Sequence, residues 1–270
     1  MPDPSIFTQV INLYLPEPHA SLLNGILFGV SLKTTKLFYE QLKMVGLLHI
    51  VVLSGINITL LASIIASFTN FLNKKISVFI TIVAIVLFIL FVGPKPPIVR
   101  AGFMGILSLF AIIYGRQKHA LYFLFLSAII ISAIKPEWIK TVSFQLSFAA
   151  TFGIILFGKT KISPPDSPAK AIKYTLFKEL KPSLAAQLFT VPIIFLYFKQ
   201  ISLIAPISNL LISPLIAPLM IFGFTASILG KIHYLLGIIP AYICYAILSY
   251  IVFIVERLSG LPFIFFNLNQ

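Results

Sequence analysis

From residue 46 to residue 256 the chain is a near-continuous series of long apolar runs, at about 46–70, 76–92, 99–115, 119–134, 141–158, 183–198, 203–229 and 234–256. Hydrocarbon offers backbone N–H and C=O groups no partner, so a lipid-embedded segment must satisfy them as a helix or in a closed barrel. Many of the runs are rich in Ile, Val and Phe, which in water favour strands. Runs this long without polar alternation read instead as lipid-facing helices. About 20 residues cross the ~30 Å hydrocarbon layer. The expected fold is therefore all-α: a polytopic transmembrane helix bundle of about eight spans (seven to nine), with short interfacial helices. Composition excludes the soluble alternative. The 270 residues are 59% hydrophobic and 10% charged, with mean hydropathy +1.04. A soluble domain is about 45–50% apolar and ~25% charged.

Three stretches follow from this pattern. Residues 1–45 form a lead-in. Its first part, with Pro2, Pro4, Pro16 and Pro18, reads as irregular, and Ala20–Val30 as a short interfacial or re-entrant helix. In 31–45 the charges Lys33, Lys36, Glu40 and Lys43 alternate with Leu37, Phe38, Leu42 and Val45, the pattern of an amphipathic helix lying on a membrane. Residues 46–258 are the transmembrane domain and 259–270 a tail. Pro94, Pro96 and Pro97 break the chain between the second and third spans, and Trp138 between Lys135 and Lys140 suits an interface anchor. The longest polar stretch, 159–182, carries Lys159, Lys161, Lys170, Lys173, Lys178 and Lys181. Its prolines make the first half a loop, and the second half reads as a surface helix. The positive-inside rule puts this basic surface in the cytoplasm and both termini outside. Net charge is +13, which suits anionic lipid, an anionic substrate, or both. The first positive residue is Lys33, so the basic n-region of a cleavable signal peptide is missing.

Few residues offer chemistry. Cys244 is the single cysteine, which removes any disulfide or cysteine-based metal site within the chain. His19, His49, His119 and His233 are mutually isolated and nearly all seven acids fall in loops or ends, so neither a metal nor a cofactor is expected. Gly153–Thr160 satisfies the G-x-x-x-x-G-K-[ST] phosphate-loop pattern. Its variable positions are Ile, Ile, Leu and Phe at the end of an apolar span, and Pro164 and Pro165 stand where the following helix should run. The match reads as coincidence, and no ATPase or other enzyme is expected. Ser54-Gly55 lacks the surrounding pattern of an intramembrane serine protease, because residue 52 is Val.

Polar side chains inside the spans are the remaining candidates, since such groups are costly at membrane depth and face a bundle interior or a wet cavity. In Gly46-Leu-Leu-His49-Ile-Val-Val-Leu-Ser54-Gly55-Ile-Asn57, an unbroken helix would put His49 and Asn57 on one face, while Ser54-Gly55 favours a break. Arg100 follows Pro96-Pro97 at the start of a span, where it either snorkels or lines a path for an anion. Gln145, Gln187 and Asn209 are amides within spans, and Pro214 and Pro218 after Asn209 allow a broken or kinked helix. Interhelical bonding competes with a path-lining role for each amide.

Several of these stretches, taken in order, resemble the ComEC competence family. They are Leu15–Gly29, Gly46–Gly55, Pro97-Ile-Val-Arg100-Ala101, Phe144-Gln-Leu-Ser-Phe-Ala-Ala150, Ala185-Ala-Gln-Leu-Phe-Thr-Val-Pro192 and Ser208-Asn-Leu-Leu-Ile-Ser-Pro214-Leu-Ile-Ala-Pro218. The resemblance implies a channel passing single-stranded DNA across the cytoplasmic membrane of a bacterium in natural transformation. It puts His49, Ser54, Gly55, Arg100, Gln145, Gln187 and Asn209 at family-typical positions. Residue 57 is Asn where relatives often have His, and residue 143 is Ser where Gly is common. The oligonucleotide-binding-fold and metallo-β-lactamase-like modules of many members are absent, so the expectation is the membrane domain alone. The implied partners are single-stranded DNA, membrane lipid, a cytoplasmic motor protein and a separate nuclease or DNA receptor, with a homo-oligomer as a further possibility. The alternatives are a transporter for another solute, a membrane-embedded serine enzyme using Ser54, and a scaffold or non-functional remnant.

Overall fold

The computed structural model describes residues 4–51, 55–113, 120–158, 168–262 and 265–267, with the side chains at 49, 51, 55–56, 111–113, 168–179 and 266–267 outside the description. In chain order the helices are α1 (Ser5–Tyr14), α2 (His19–Phe28), α3 (Lys36–Met44), α4 (Leu48–Val51), α5 (Gly55–Phe68), α6 (Lys74–Val92), α7 (Pro96–Ile113), α8 (Ala120–Ile134), α9 (Val142–Phe157), α10 (Pro168–Phe198), α11 (Ala205–Ile232) and α12 (Tyr234–Ser259). A 3-10 turn at Pro136–Lys140 joins α8 to α9. Two three-residue strands, β1 (Gln200–Ser202) and β2 (Phe265–Asn267), pair antiparallel. Local sequence sets several starts: Thr35, Asn73 and Thr141 accept from the first-turn N–H groups of Phe38, Lys75 and Phe144.

The fold is all-α, as expected, and it is a membrane protein. Among the described residues four helices are long and apolar enough to cross a bilayer: α6, the Leu180–Phe198 part of α10, α11 and α12. The other expected spans are present as apolar helices, but α5, α8 and α9 have only 14, 15 and 16 residues. At 1.5 Å per residue they reach about 21–24 Å, short of the ~30 Å hydrocarbon layer unless flanking residues or local thinning supply the rest. The expected count of about eight spans is thus not established.

Three expectations are corrected. The proline-flanked start of the lead-in, expected to be irregular, contains α1, because Pro4 sits at the N-cap and Pro16 and Pro18 lie beyond the C-terminus, where proline does not interrupt a helix. The separate surface helix and span expected over 170–198 are one helix, α10, running through Pro182 and Pro192. Likewise α11 is not broken at Pro214 or Pro218. Each of these four prolines forfeits one N–H, so the carbonyls of Lys178, Leu188, Leu210 and Pro214 lose their usual intrahelical partner while the helix continues on packing.

Two hydrophobic cores result. The larger joins α1–α4 to the antiparallel pair α11 and α12 around Leu22, Ile26, Leu27, Leu42, Leu219 and Leu248. It contains a void of about 10 Å³ lined by aliphatic side chains. The smaller gathers α5–α7 around Ile58, Ile85 and Ile98, with Phe88 against Phe224 of α11 at 6.1 Å between ring centres. Beyond it the hairpin α9–α10 packs closely on itself. Gly153 is required there, since a β-carbon would collide with the Ala185 carbonyl oxygen and the Phe189 ring. Few of its other described side chains are buried, and Leu184, Leu188 and Leu196 stand more than half exposed, as lipid-facing residues do.

Helix α2 is the least ordinary element. Every residue from Ala20 to Phe28 is buried, although ten residues span only about 15 Å. Gly29 ends it in the left-handed region (φ 64°), where a side chain would be strained. The chain then returns beside the helix, so that the Ser21 hydroxyl meets both the N–H and the C=O of Lys33 at 3.2 and 3.0 Å. Helix α2 is enclosed by other helices. Helix α3 is amphipathic as expected, burying Phe38 and Leu42 against the bundle with its charges outward.

Candidate functional site

Arg100 is the one charged side chain buried among the described residues, at 7% exposure. It lies in the first turns of α7, where Pro96 and Pro97 start the helix and Ile98 and Ala101 anchor it in the second core. Its Nη1 donates to the Thr151 hydroxyl of α9, which in turn donates to the Ser147 carbonyl at 2.9 Å. The guanidinium stands 5.8 Å from the centre of the Phe148 ring, a cation–π contact. Its Nε is buried without a partner. The one ion pair among the described residues joins Lys43 to Glu40, so no carboxylate there neutralises Arg100. A guanidinium carries five N–H donors and keeps its charge in proteins. One hydroxyl and one aromatic face leave capacity for an anion.

Two of the candidate amides lie on the next helices. Gly153 against Ala185 sets the antiparallel register of α9 and α10, and Gln187 stands two residues past Ala185 on α10. Gln187 is half-buried. Asn209 of α11 donates to the Ser183 hydroxyl of α10 at 3.2 Å and keeps its own Oδ1 buried without a partner. Ser183 and Gln187 are four residues apart and share a face of α10. Gln145 lies at the opposite end of α9, where its Nε2 reaches the Ile139 carbonyl at 3.4 Å.

The remaining candidates are placed elsewhere. Asn57 is buried in the α2 contact, donating to the Ile26 carbonyl at 2.8 Å, one of the carbonyls left open at the end of α2. Val51 ends the described part of α4 and Gly55 opens that of α5, and residues 52–54, on which a shared face for His49 and Asn57 depends, lie outside the described residues. Ser54, Lys159 and Lys161 fall outside the described residues, as do the side chains of His49, Lys170, Lys173 and Lys178; Lys181 is partly buried near the start of the α10 span. The first five residues of the phosphate-loop pattern, Gly153–Phe157, are α-helical within α9. Among the described residues no group of three or more His, Cys, Asp or Glu is placed to hold a metal. Sequence reasoning missed Thr151, whose signal was the i, i+4, i+8 series Ser143, Ser147, Thr151 along an otherwise apolar helix. It also missed Lys95, which donates to the Gly29 carbonyl at 2.9 Å.

A helical membrane bundle with a buried arginine that no described carboxylate neutralises defines the class. The family comparison narrows it: the Competence protein family matches residues 26–270, and the chain belongs to that family. It is 24% identical over 222 residues to ComE operon protein 3 of Bacillus subtilis (strain 168), covering 81% of this chain and 27% of that protein. It is 28% identical over 204 residues to an uncharacterized protein of Aquifex aeolicus (strain VF5), covering 74% of this chain and 45% of that one. The chain thus spans about a quarter and under half of the length of these relatives. No solved structure matches.

Proposed function

We propose that this chain serves competence as the membrane channel through which single-stranded DNA crosses the bacterial cytoplasmic membrane, as a multi-pass protein and not as an enzyme. The observation that carries the reading is Arg100, a buried cation with an unused N–H in a chain of the competence family. Single-stranded DNA carries one negative charge per ~3.4 Å along the strand and cannot enter hydrocarbon. It needs a wet groove with cations for phosphate and aromatic faces for bases. Arg100 supplies the first and Phe148, beside it, the second. Gln187 and Asn209 add uncharged donors along the α9–α10 hairpin, and the basic stretch 159–182 attracts the strand at one mouth. A cytoplasmic motor protein supplies the energy, and a separate nuclease or receptor the single strand.

The test is uptake of fluorescent DNA by cells with and without the gene. Surface-bound DNA that becomes nuclease-protected in the cytosol only when the gene is present supports the channel. Equal protection in both strains refutes it.

A further inference from the structure

The return segment after α2 poses a separate problem of backbone chemistry. From Gly29 to Thr35 the chain is neither helix nor paired strand. Its side chains alternate as an extended strand's do: Val30 and Leu32 pack on the larger core, while Ser31, Lys33 and Thr35 are exposed. Lys33 is held by Ser21, and the Gly29 carbonyl by Lys95. Among the described residues no hydrogen bond reaches the backbone of Val30, Ser31 or Leu32. Depth follows from the contacts of α2, alongside which the segment runs. Leu23 and Leu27 lie against Gly223, eighteen residues into α11, and His19 meets Ser249, ten residues before the end of α12, at 3.0 Å. Both contacts are well inside helices long enough to span.

Extended backbone at membrane depth persists only where protein covers it or water wets it. Protein covers the Val30–Leu32 side; the Ser31–Thr35 side is open and polar. At its outer end the segment runs into a pocket of about 480 Å³ lined by Glu17, Lys33, Thr34, Thr35, Gln41 and Glu256, among others. We infer that Gly29–Thr35 lines a water-filled vestibule that opens beside Glu17 and Glu256 and reaches into the bundle along α2. This face belongs to α2, α3 and α12, and is built from different helices than the Arg100 surface of α7 and α9. Its occupant is water with dissolved ions, so the inference holds or fails whatever the channel carries.

Cys244 is the single cysteine and is buried, which makes cysteine scanning clean. The full chain, in open membrane fragments, is labelled with a charged, membrane-impermeant maleimide after Ser31→Cys, Leu32→Cys or Thr35→Cys substitution. Leu87→Cys, 60% exposed on the lipid-facing side of α6, is the lipid control, and exposed Glu137→Cys is the water control. The thiolate is the reactive form and forms poorly in apolar surroundings, so labelling at 31 and 35 is expected at least about tenfold faster than at 87, and near the rate at 137. Position 32 should label slowly. Reaction at 31 as slow as at 87 overturns the vestibule, as does equal reaction at 31 and 32. Should Ser31→Cys fail to reach the membrane, Thr35→Cys compared with Leu32→Cys reads the same alternation, with fast labelling at 35 expected and lipid-like labelling at 35 overturning the proposal.

Discussion

The two halves of the bundle treat buried polarity differently. Around α2, α11 and α12, buried polar side chains mostly bond backbone that the fold leaves open: Asn57 takes the Ile26 carbonyl, Ser208 the Val45 carbonyl at 2.6 Å, Ser202 the Met44 carbonyl at 2.6 Å, and Ser21 both backbone groups of Lys33. The atoms left over there, His19 Nδ1, Asn24 Oδ1 and Asn209 Oδ1, belong to side chains that have another bond. Around α7, α9 and α10 the buried polar group is a cation with one hydroxyl partner and one ring. In the first region polarity closes irregular backbone inside a membrane protein. In the second it serves no evident structural need, and burying it costs free energy that packing must offset. A side chain kept there at that cost is the better candidate for work on a ligand.

The largest effect that would break this contrast comes from separating the α9–α10 hairpin. Gly153→Leu puts four carbon atoms where the Ala185 carbonyl and Phe189 already are. The expected loss is about 3 kcal/mol or more, beyond ordinary overpacking, because backbone cannot step aside. Gly105→Ala is the control, since its nearest neighbour would be an ordinary 3.8 Å away. Thermal melting in detergent should show a large drop for the first and none for the second.

Next in size is Asn57→Leu. It leaves the Ile26 carbonyl buried without this donor, which costs about 1–3 kcal/mol. If Asn57 instead lines the DNA path, import should fall with melting unchanged, so the two readouts separate a structural role from a path-lining one.

These residues also mark what the sequence disclosed. Helix placement from α6 to α12 was legible because apolar runs and prolines report it directly. The continuity of α10 and α11 was not, because whether a proline ends a helix depends on packing that no local pattern encodes. Arg100 stood out as a charge in an apolar run, but its partner Thr151 lies 51 positions away and is one of many span hydroxyls. Asn57 looked like a path residue for the same reason Arg100 did. The carbonyl it meets, 31 residues earlier, could not be read from its own run. The burial of α2 was hidden too, since a ten-residue, mostly apolar stretch reads equally well as a surface element.

Arg100→Leu sharpens the comparison by changing sign. Removing a buried cation that no described carboxylate neutralises should leave stability unchanged or raise it, by about 1 kcal/mol, since an apolar side chain of similar volume avoids the desolvation cost. Import should nevertheless fall at least about tenfold, the equivalent of one good charge-assisted contact. Arg100→Lys should recover part of it, having the charge without the planar fork. A destabilised Arg100→Leu protein with import lost only in proportion would make Arg100 a structural residue.

The smallest effect belongs to Lys95, which touches the first region from the edge of the second. Its ammonium meets the Gly29 carbonyl, at the C-terminal, partially negative end of α2. A cation there contributes about 0.3–1 kcal/mol, and near the low end when exposed to water, as Lys95 is. Lys95→Met keeps the aliphatic stem and removes the charge, so its melting temperature should fall slightly, and the difference from the parent should shrink as salt is raised. The same substitution loosens the tip at which the return segment begins. If α2 and its return segment are held mainly by Asn57 and Ser21, labelling of Ser31→Cys in the Lys95→Met background will match that in the parent. Markedly faster labelling would make Lys95 the principal restraint on the tip, and would show that the more tightly packed half of the bundle is fastened by a side chain outside it.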